Sequence, residues 1–485
     1  MQSARQDRSG GAPRSASPSI LRMAAPLVIS FWMRALFTFV DTAYAAYLGD
    51  AAVASIGLSI PLEFMLIAFW VGVSTGLTSN LSLAMGARGG ARIEQLLATA
   101  KRIVWALVLL FAALAVGVSL GAGSMGLEPE VARLFAIYAG VLVGGSALTG
   151  FWSIIPDSIV KAHQDTRSTM WAGIWSNLIN VVLNTLFMFV FHWGVFGIAL
   201  STVLGRFGGL VYAQRRAASH EAARKARGLD TSPALDPAPL RSILVLAIPA
   251  ALTYTLMAVE TLLVNWLLAG QPQATESIAA YGIYYRFMLF ALMPVIAAAV
   301  AILPYVARRY GERDFDSIRR GLRQIFATAV AYCVLLVAPF LIATAPLFAR
   351  LLAESQVTAD LTRVVLWLCP LACLVMVPFQ LLRPAFEGLQ RGWPGLVMAV
   401  LRYVILAAPA ALAGREMALR YGMPALHGIV AGLILASALS SFTFMVWMVR
   451  VLGGLERKSR APRGAAGEAA MSIGTPGEPD SAGAR

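Results

Sequence analysis

Ionisable residues inside long apolar runs are the part of this sequence most able to do chemistry. In hydrocarbon one charged side chain costs on the order of 2.5–3.5 kcal/mol, so a charge kept within a spanning helix is a candidate functional group. Such a group can carry a proton, bind an ion or hold a charged solute. The candidates are Arg34, Asp41, Glu63, Asp157, Arg206, Glu260, Arg286, Arg383 and Arg402.

Asp41 is the first candidate for ion coupling. It lies in the segment FTFVDTAYAAYLG, in the outer half of the first apolar run. A carboxyl group held there can take up and release a proton, which an ion-coupled transporter requires. Arg34 lies two turns earlier on the same side of a helix, so a structural charge network is the alternative.

Three further carboxylates have a functional and a structural interpretation each. Glu260, about one turn from the mirror position of Asp41, is a second ion-coupling candidate or the partner of an arginine such as Arg286. Glu63 follows Pro61, whose kink could turn it toward a water-filled cavity. Asp157 is predicted to pair with a lysine four residues later, near the membrane surface.

Polar amides and large side chains supply candidates for a cavity wall. Asn177, Asn180 and Asn184 share one face of the fifth apolar run, which predicts helix-to-helix hydrogen bonds, a polar cavity wall, or both. We take Asn180 and Asn184 as ion-coupling candidates and Asn177 as a cavity candidate. Cation–π contacts and adaptable thioethers suit cationic amphiphiles, although each such residue could instead face lipid or pack between helices. The remaining cavity candidates are Glu63, Arg34, Arg286, Tyr254 and Met257.

These residues require a bundle of membrane-spanning helices to position them. Of 485 residues, 58% are apolar and 13% are charged, against roughly 25% charged in an ordinary soluble domain. Apolar runs near the ~20 residues that span a bilayer alternate with short arginine-rich segments. The sequence predicts an all-α membrane protein with helices over 21–47, 53–84, 103–124, 133–157, 169–191, 195–214, 242–268, 277–306, 324–350, 362–386, 395–413 and 425–450.

The charge distribution predicts the topology. Most loop arginines and lysines fall on one side of the predicted bundle, and the other side holds only Arg415 and Arg420. By the positive-inside rule both termini are cytoplasmic. The net charge of +14 is explained in this way and gives no reason to expect a nucleic acid partner. The predicted units are a disordered tail at 1–19, a six-helix bundle at 20–216, a cytoplasmic linker at 217–240, a second six-helix bundle at 241–452 and a second tail at 453–485.

The two bundles show an internal repeat. Pro26, Gly57, Gly86 and Gln164 match Pro249, Gly282, Gly311 and Gln390 in order, at offsets between 223 and 226 residues. Such duplication is typical of transporters in which two bundles rock around a central site. Phosphate-binding, zinc-protease and nucleophile-elbow motifs are absent from the sequence, so we expect neither an enzyme nor a bound cofactor.

Several segments in order resemble the multidrug and toxic compound extrusion family, within the multidrug/oligosaccharidyl-lipid/polysaccharide exporter superfamily. The resemblance covers roughly residues 20–450. It is carried by VDTAYAAYLG-DAAVASIGLSIP, AHQDTRSTMWAGIWSNLINVVLN, FGIALSTVLGR, SIAAYGIYYRF and LPYVARRYGERDFDSIRRGLR.

The resemblance implies two six-helix lobes forming a V and exchanging a proton or sodium ion for an organic, often cationic, substrate. It places Asp41 at the family's first-helix carboxylate and Asn180 at its fifth-helix polar site. Gln164 before Asp-Thr, Asn184, and a tenth helix without a carboxylate over 364–386 depart from the family pattern and favour protons over sodium. The expected setting is a monomer in the bacterial inner membrane, in contact with lipid.

Two other functions stay open on the sequence. A lipid-linked oligosaccharide flippase of the same superfamily would have a strongly cationic central cavity, which the intramembrane arginines would supply if they face it. A membrane sensor without transport activity would need an output domain or a catalytic cluster, and neither is visible.

Overall fold

A computed structural model describes residues 19–228, 230–353 and 355–460. Over these residues the chain forms twelve long helices and no strand. Two of the helices contain π-helical segments, Cys333–Val337 in the ninth and Leu401–Leu406 in the eleventh. The helices are α1 Ile20–Tyr47, α2 Asp50–Gly86, α3 Gly90–Gly121, α4 Pro129–Ala162, α5 Thr166–Phe189, α6 Gly194–Ala226, α7 Pro239–Ala269, α8 Ala274–Gly311, α9 Phe315–Leu352, α10 Gln356–Gly388, α11 Trp393–Arg420 and α12 Ala425–Arg460.

The helices are long and apolar enough to cross a membrane. Eleven of them, α2 to α12, meet that criterion over their described residues. The first, α1, has 28 residues, which at 1.5 Å per residue is about 42 Å and exceeds a hydrocarbon core of about 30 Å. The prediction of an all-α membrane protein with twelve helices is confirmed.

The connection between the two halves differs from the predicted linker. Instead of ending near residue 214, α6 continues to Ala226. The later part of the predicted 217–240 linker is not a free connector, because buried Asp236 lies 3.0 Å from Arg92 of α3. Ion pairs fix the polar end of α6: Arg224 and His163 lie 2.7 and 2.9 Å from oxygens of Glu221. Because these partners satisfy the polar side chains, the segment is helical although it lacks an apolar run.

Asp165 joins the same helical end to the turn before α5. Its carboxylate accepts hydrogen bonds from the backbone N–H of Ser168 at 3.1 Å and from the His220 ring at 2.8 Å. Burial opposes ionisation of Asp165, but the hydrogen bonds from Ser168 and His220 outweigh it and lower its pKa to about 2. The carboxylate is therefore charged at neutral pH and caps α5.

The repeat predicted from the sequence is present in the packing. In the first lobe, α1–α6, α2 and α6 each pack on α4, and α5 packs on α6. In the second lobe, α7–α12, α8 and α12 each pack on α10, and α11 packs on α12. The turns repeat as well: Gln164 and Gln390 have φ of 62° and 61°, and Arg88 and Arg313 have φ of 55° and 57°.

The lobes meet at the end of the bundle where α1 begins and α12 ends, which we call the terminal end. Here α2 crosses α7 and α8, and backbones touch because glycine lies at the crossings. A methyl group on Gly86 would overlap the carbonyl oxygen of Arg308, and one on Gly311 would overlap that of Leu83. The Asn80 side chain donates to the Ser242 carbonyl oxygen at 2.9 Å. We call this contact the α2 seam.

Toward the opposite end the lobes separate. On α8, Gly311, Pro304, Ala297, Met293 and Arg286 are spaced by four or seven residues and so share one side of the helix. Burial along this side falls from buried Pro304 and Ala297, through half-buried Met293, to exposed Arg286. The side of α8 that α2 covers at the terminal end is therefore open at the other end.

Gly86→Ala is expected to part the α2 seam. The added methyl group has no space beside Arg308, so α2 and α8 must move apart at the terminal end. A cysteine placed at Ser79, which is fully buried in the seam, should then be alkylated several-fold faster than in an otherwise normal chain. Gly57→Ala is the control, because a methyl group there has nothing within 4 Å. Equal alkylation rates in both variants would contradict the seam.

Candidate ion and substrate sites

The second lobe contains a buried ion pair between two predicted residues. Glu260 on α7 lies 3.5 Å from Arg402 on α11, and the side chains are 14% and 4% exposed. Arg402 also donates from Nε to the hydroxyl of Ser437 on α12 at 3.0 Å. Three helices thus meet at one guanidinium. The structure pairs Glu260 with Arg402, not with Arg286 as the sequence suggested.

Aromatic rings complete the surroundings of Arg402. Its guanidinium carbon lies 4.4 Å from the ring centre of Tyr403 and 5.2 Å from that of Phe379. A desolvated cation over such rings gains electrostatic stabilisation. Glu260 and Arg402 therefore form a self-neutralising pair within the second lobe.

A second ion pair lies at the terminal end of α10. Arg383 and Glu387 are 3.5 Å apart, one turn apart on the helix. The Arg383 guanidinium carbon lies 5.2 Å from the ring centre of Tyr254, which places this cavity candidate against a charge of its own lobe. Glu387 is not among the residues predicted from the sequence, although its spacing from Arg383 is the signal for such a pair.

This second pair is attached to the α2 seam. The carbonyl oxygen of Glu387 accepts a hydrogen bond from the Ser79 hydroxyl at 2.7 Å, and the Gln390 side chain donates to the same hydroxyl at 2.8 Å. Both contacts join the two lobes. Parting the lobes at the terminal end must break them.

The first lobe carries amides on α5, the helix that corresponds in the repeat to α11 with its Arg402. The Asn180 side chain donates to the hydroxyl of Thr202 on α6 at 3.2 Å, and Ser201 lies 3.5 Å away. Asn184 is fully buried and Asn177 is half-buried on the same helix. The Asn180 contacts are the helix-to-helix hydrogen bonds that one of the two sequence interpretations required.

The outer half of α1 packs beside this amide stripe. The Tyr44 hydroxyl lies 2.6 Å from the hydroxyl of Thr185 on α5. Asp41 precedes Tyr44 by about one helical turn, so its backbone belongs to the part of α1 that runs alongside α5. The side chains of Asp41 and Arg34 lie outside the described part of the structure.

The remaining predicted residues lie in different places. Glu63 is half-buried and shares a side of α2 with Trp70, which donates to Ser153 on α4 at 3.0 Å. Met257 packs against the core of the second lobe. Arg286 is exposed.

The predicted pair between Asp157 and its fourth neighbour is confirmed. Lys161 lies 2.5 Å from the Asp157 carboxylate. Both residues are buried, and the ammonium group lies 5.3 Å from the ring centre of Trp70. The pair therefore belongs to the interior of the first lobe.

The arginines do not gather in one place. Arg206 donates to Ser146 within the first lobe, and Arg383 and Arg402 pair with glutamates within the second. Of the four intramembrane arginines whose side chains the structure describes, only Arg286 is exposed. This arrangement differs from the strongly cationic cavity that a flippase would require.

Comparison with known proteins gives one family. The model of the MatE family matches residues 26–186 and 249–412. These two matches fall one in each lobe, as the internal repeat requires.

Two named relatives and two solved structures are similar over much of the chain. A probable multidrug resistance protein, YoeA, from Bacillus subtilis is 23% identical over 324 residues, which is 64% of this chain and 69% of that protein. An FAD transporter from Shewanella oneidensis is 22% identical over 431 residues, 84% of this chain and 90% of that protein. An outward-facing MATE transporter of the MOP superfamily has a TM-score of 0.80 at 21% identity, over 90% of this chain and 96% of that one. A MOP superfamily transporter from Pyrococcus furiosus has a TM-score of 0.78 at 20% identity, over 90% of this chain and 97% of that one.

Proposed function

This chain belongs to the MatE family, and on that premise we propose that it is an antiporter exporting organic compounds in exchange for protons. The observation that carries the proposal is the pair of duplicated lobes, closed on each other at the α2 seam and parted at the opposite end. Family members are transporters, which favours transport over a sensor or an enzyme for this chain.

The orientation of the protein in the membrane follows from the topology that we propose. The terminal end carries most of the loop arginines and lysines, so the positive-inside rule assigns it to the cytoplasm and both termini with it. The parted end then opens outward. The setting we propose is the bacterial inner membrane, with the protein acting as a monomer.

Asp41 is the residue that we propose carries the coupling proton. In the outward-open state it takes up a proton, and in the inward-open state it gives that proton up and substrate binds. A difference in affinity between the two states is sufficient to bias the rocking of the lobes. The packing of α5 beside the outer half of α1 supports a role for the α5 amides Asn180 and Asn184 as hydrogen-bond partners of this region.

The second lobe supports a proton as the coupling ion in preference to sodium. A sodium site built on the Glu260 carboxylate would need oxygens that no other cation faces. Glu260 already faces the Arg402 guanidinium at 3.5 Å, and a sodium ion beside it would meet the positive charge of that arginine. Glu260 is then a fixed partner that shapes the lobe.

The substrate class that we propose is aromatic amphiphiles, cationic members included. A deprotonated Asp41 would attract a cation in the inward-open state. One relative carries the name of an FAD transporter, which supports aromatic solutes because a flavin is aromatic. The other carries the name of a probable multidrug resistance protein, which supports a range of organic compounds.

Imposed ion gradients test the coupling. In proteoliposomes loaded with ethidium, an inward proton gradient is expected to drive export at least tenfold faster than no gradient. An equal sodium gradient at constant pH should have no effect. Faster export under the sodium gradient would overturn proton coupling, and export unaffected by either gradient would overturn antiport.

A further inference from the structure

Arg286 is a charged residue that takes no part in the contacts described so far. It lies on the side of α8 whose inner half is covered by the other lobe and whose outer half is open. No hydrogen bond or ion pair joins its side chain to another residue that the structure describes. Arg383 and Arg402, by contrast, each face a glutamate.

An exposed guanidinium at this depth requires water. Arg286 is twelve residues into α8, about 18 Å along a helix of this rise, and therefore within the membrane-spanning part. Facing lipid there would carry an insertion cost, which reaches on the order of 2.5–3.5 kcal/mol at the bilayer centre. Facing the water-filled space between the lobes avoids that cost, in agreement with the open side of α8.

An aromatic pair lies next to this charge. One turn further along α8, Phe290 stacks on Trp32 of α1, with ring centres 6.3 Å apart and ring planes at 17°. The two rings come from opposite lobes, and they are 52% and 39% exposed. Their free surfaces can stack with a further flat ring.

We propose that Arg286 and the Trp32–Phe290 pair form a subsite for an aromatic ring that carries an anionic group. The guanidinium presents paired N–H donors that fit the oxygens of a carboxylate or phosphate, and the rings lie one helical turn away. This rests on the proposed export function and adds to it that aromatic anions and zwitterions are substrates, beside cations. Because the ring pair joins the two lobes, a solute stacked there contacts both.

Flavin mononucleotide and riboflavin test the subsite, because they share one ring system and differ in a phosphate. Binding to the purified protein is measured by calorimetry, with no ion gradient. The intact protein is expected to bind flavin mononucleotide at least tenfold more tightly than riboflavin. Arg286→Gln should remove that difference and leave the affinity for riboflavin unchanged, which also shows that the variant is folded.

Arg420→Gln is the matched control. Arg420 is an exposed arginine at the end of α11, remote in sequence from the subsite, and its loss should leave the tenfold preference intact. Equal affinities for the two flavins in the intact protein, weakening of both by Arg286→Gln, or binding of neither would each overturn the inference. Gradient-driven ethidium export is a separate measurement, so failure of the subsite and failure of antiport are distinguishable.

Discussion

Asp41→Asn is expected to abolish export driven by a pH gradient, with at least a tenfold loss in rate. Asparagine keeps the shape and polarity of the side chain but cannot bind and release a proton, so an imposed gradient has no group to act on. The measurement is export of ethidium from proteoliposomes at a fixed proton gradient. The purified variant should unfold at the same concentration of denaturing detergent as the intact protein, which separates loss of coupling from loss of fold.

Asp360→Asn is the control for this substitution. Asp360 is 53% exposed near the start of α10 and faces Arg363 at 3.5 Å, so it has no place in the proposed pathway. Its variant should export at the normal rate. Normal gradient-driven export by Asp41→Asn would refute the coupling role of that residue.

Arg402→Gln is expected to lower the free energy of unfolding by about 3–5 kcal/mol, because it leaves Glu260 buried without its counter-charge. It also removes the donor to Ser437 and the cation packed on Tyr403. The measurement is unfolding of the purified protein by a denaturing detergent. Arg363→Gln is the matched control, because it breaks the exposed pair of Arg363 with Asp360. Its loss should lower the free energy of unfolding by about 0–1 kcal/mol.

The double variant Glu260→Gln with Arg402→Gln distinguishes a charge pair from simple packing. Two neutral side chains leave no buried charge, so the double variant should be more stable than Arg402→Gln alone. If the losses of stability in the two single variants instead add up in the double variant, the stabilisation comes from packing around each residue separately.

The helices were predictable because lipid imposes a simple rule on sequence. Each apolar run had to be near 20 residues long, and each predicted range overlaps an observed helix. The polar ends were not predictable in this way. The helix α3 begins at Gly90, before the predicted residue 103, because Ile93, Leu96 and Ala100 are buried there at helical spacing without forming a continuous apolar run. The helix α6 continues to Ala226, past 214, where ion pairs such as Arg224–Glu221 stabilise the polar turns.

The candidate site was predictable in its residue types and less so in its partners. Burial of a charge in lipid singled out Glu260 and Arg402 individually. Nothing in the sequence links them, since they are 142 residues apart and Arg402 lies in the π-helical segment Leu401–Leu406. A π-helical turn shifts the facing of side chains relative to the regular helical period, so a count of 3.6 residues per turn does not show where Arg402 points.

The Glu260–Arg402 pair also bears on the electrical character of transport. Its two charges cancel, so under the proposed mechanism only the first lobe changes charge during a cycle. Exchange of one entering proton for one leaving monovalent cation is then electroneutral. Exchange of one proton for a zwitterion moves one positive charge inward, and exchange for a monovalent anion moves two. The membrane potential contributes about 2.3 kcal/mol for each charge moved and each 100 mV. An inside-negative membrane potential would therefore drive the export of anions and zwitterions and leave the export of cations to the pH difference alone.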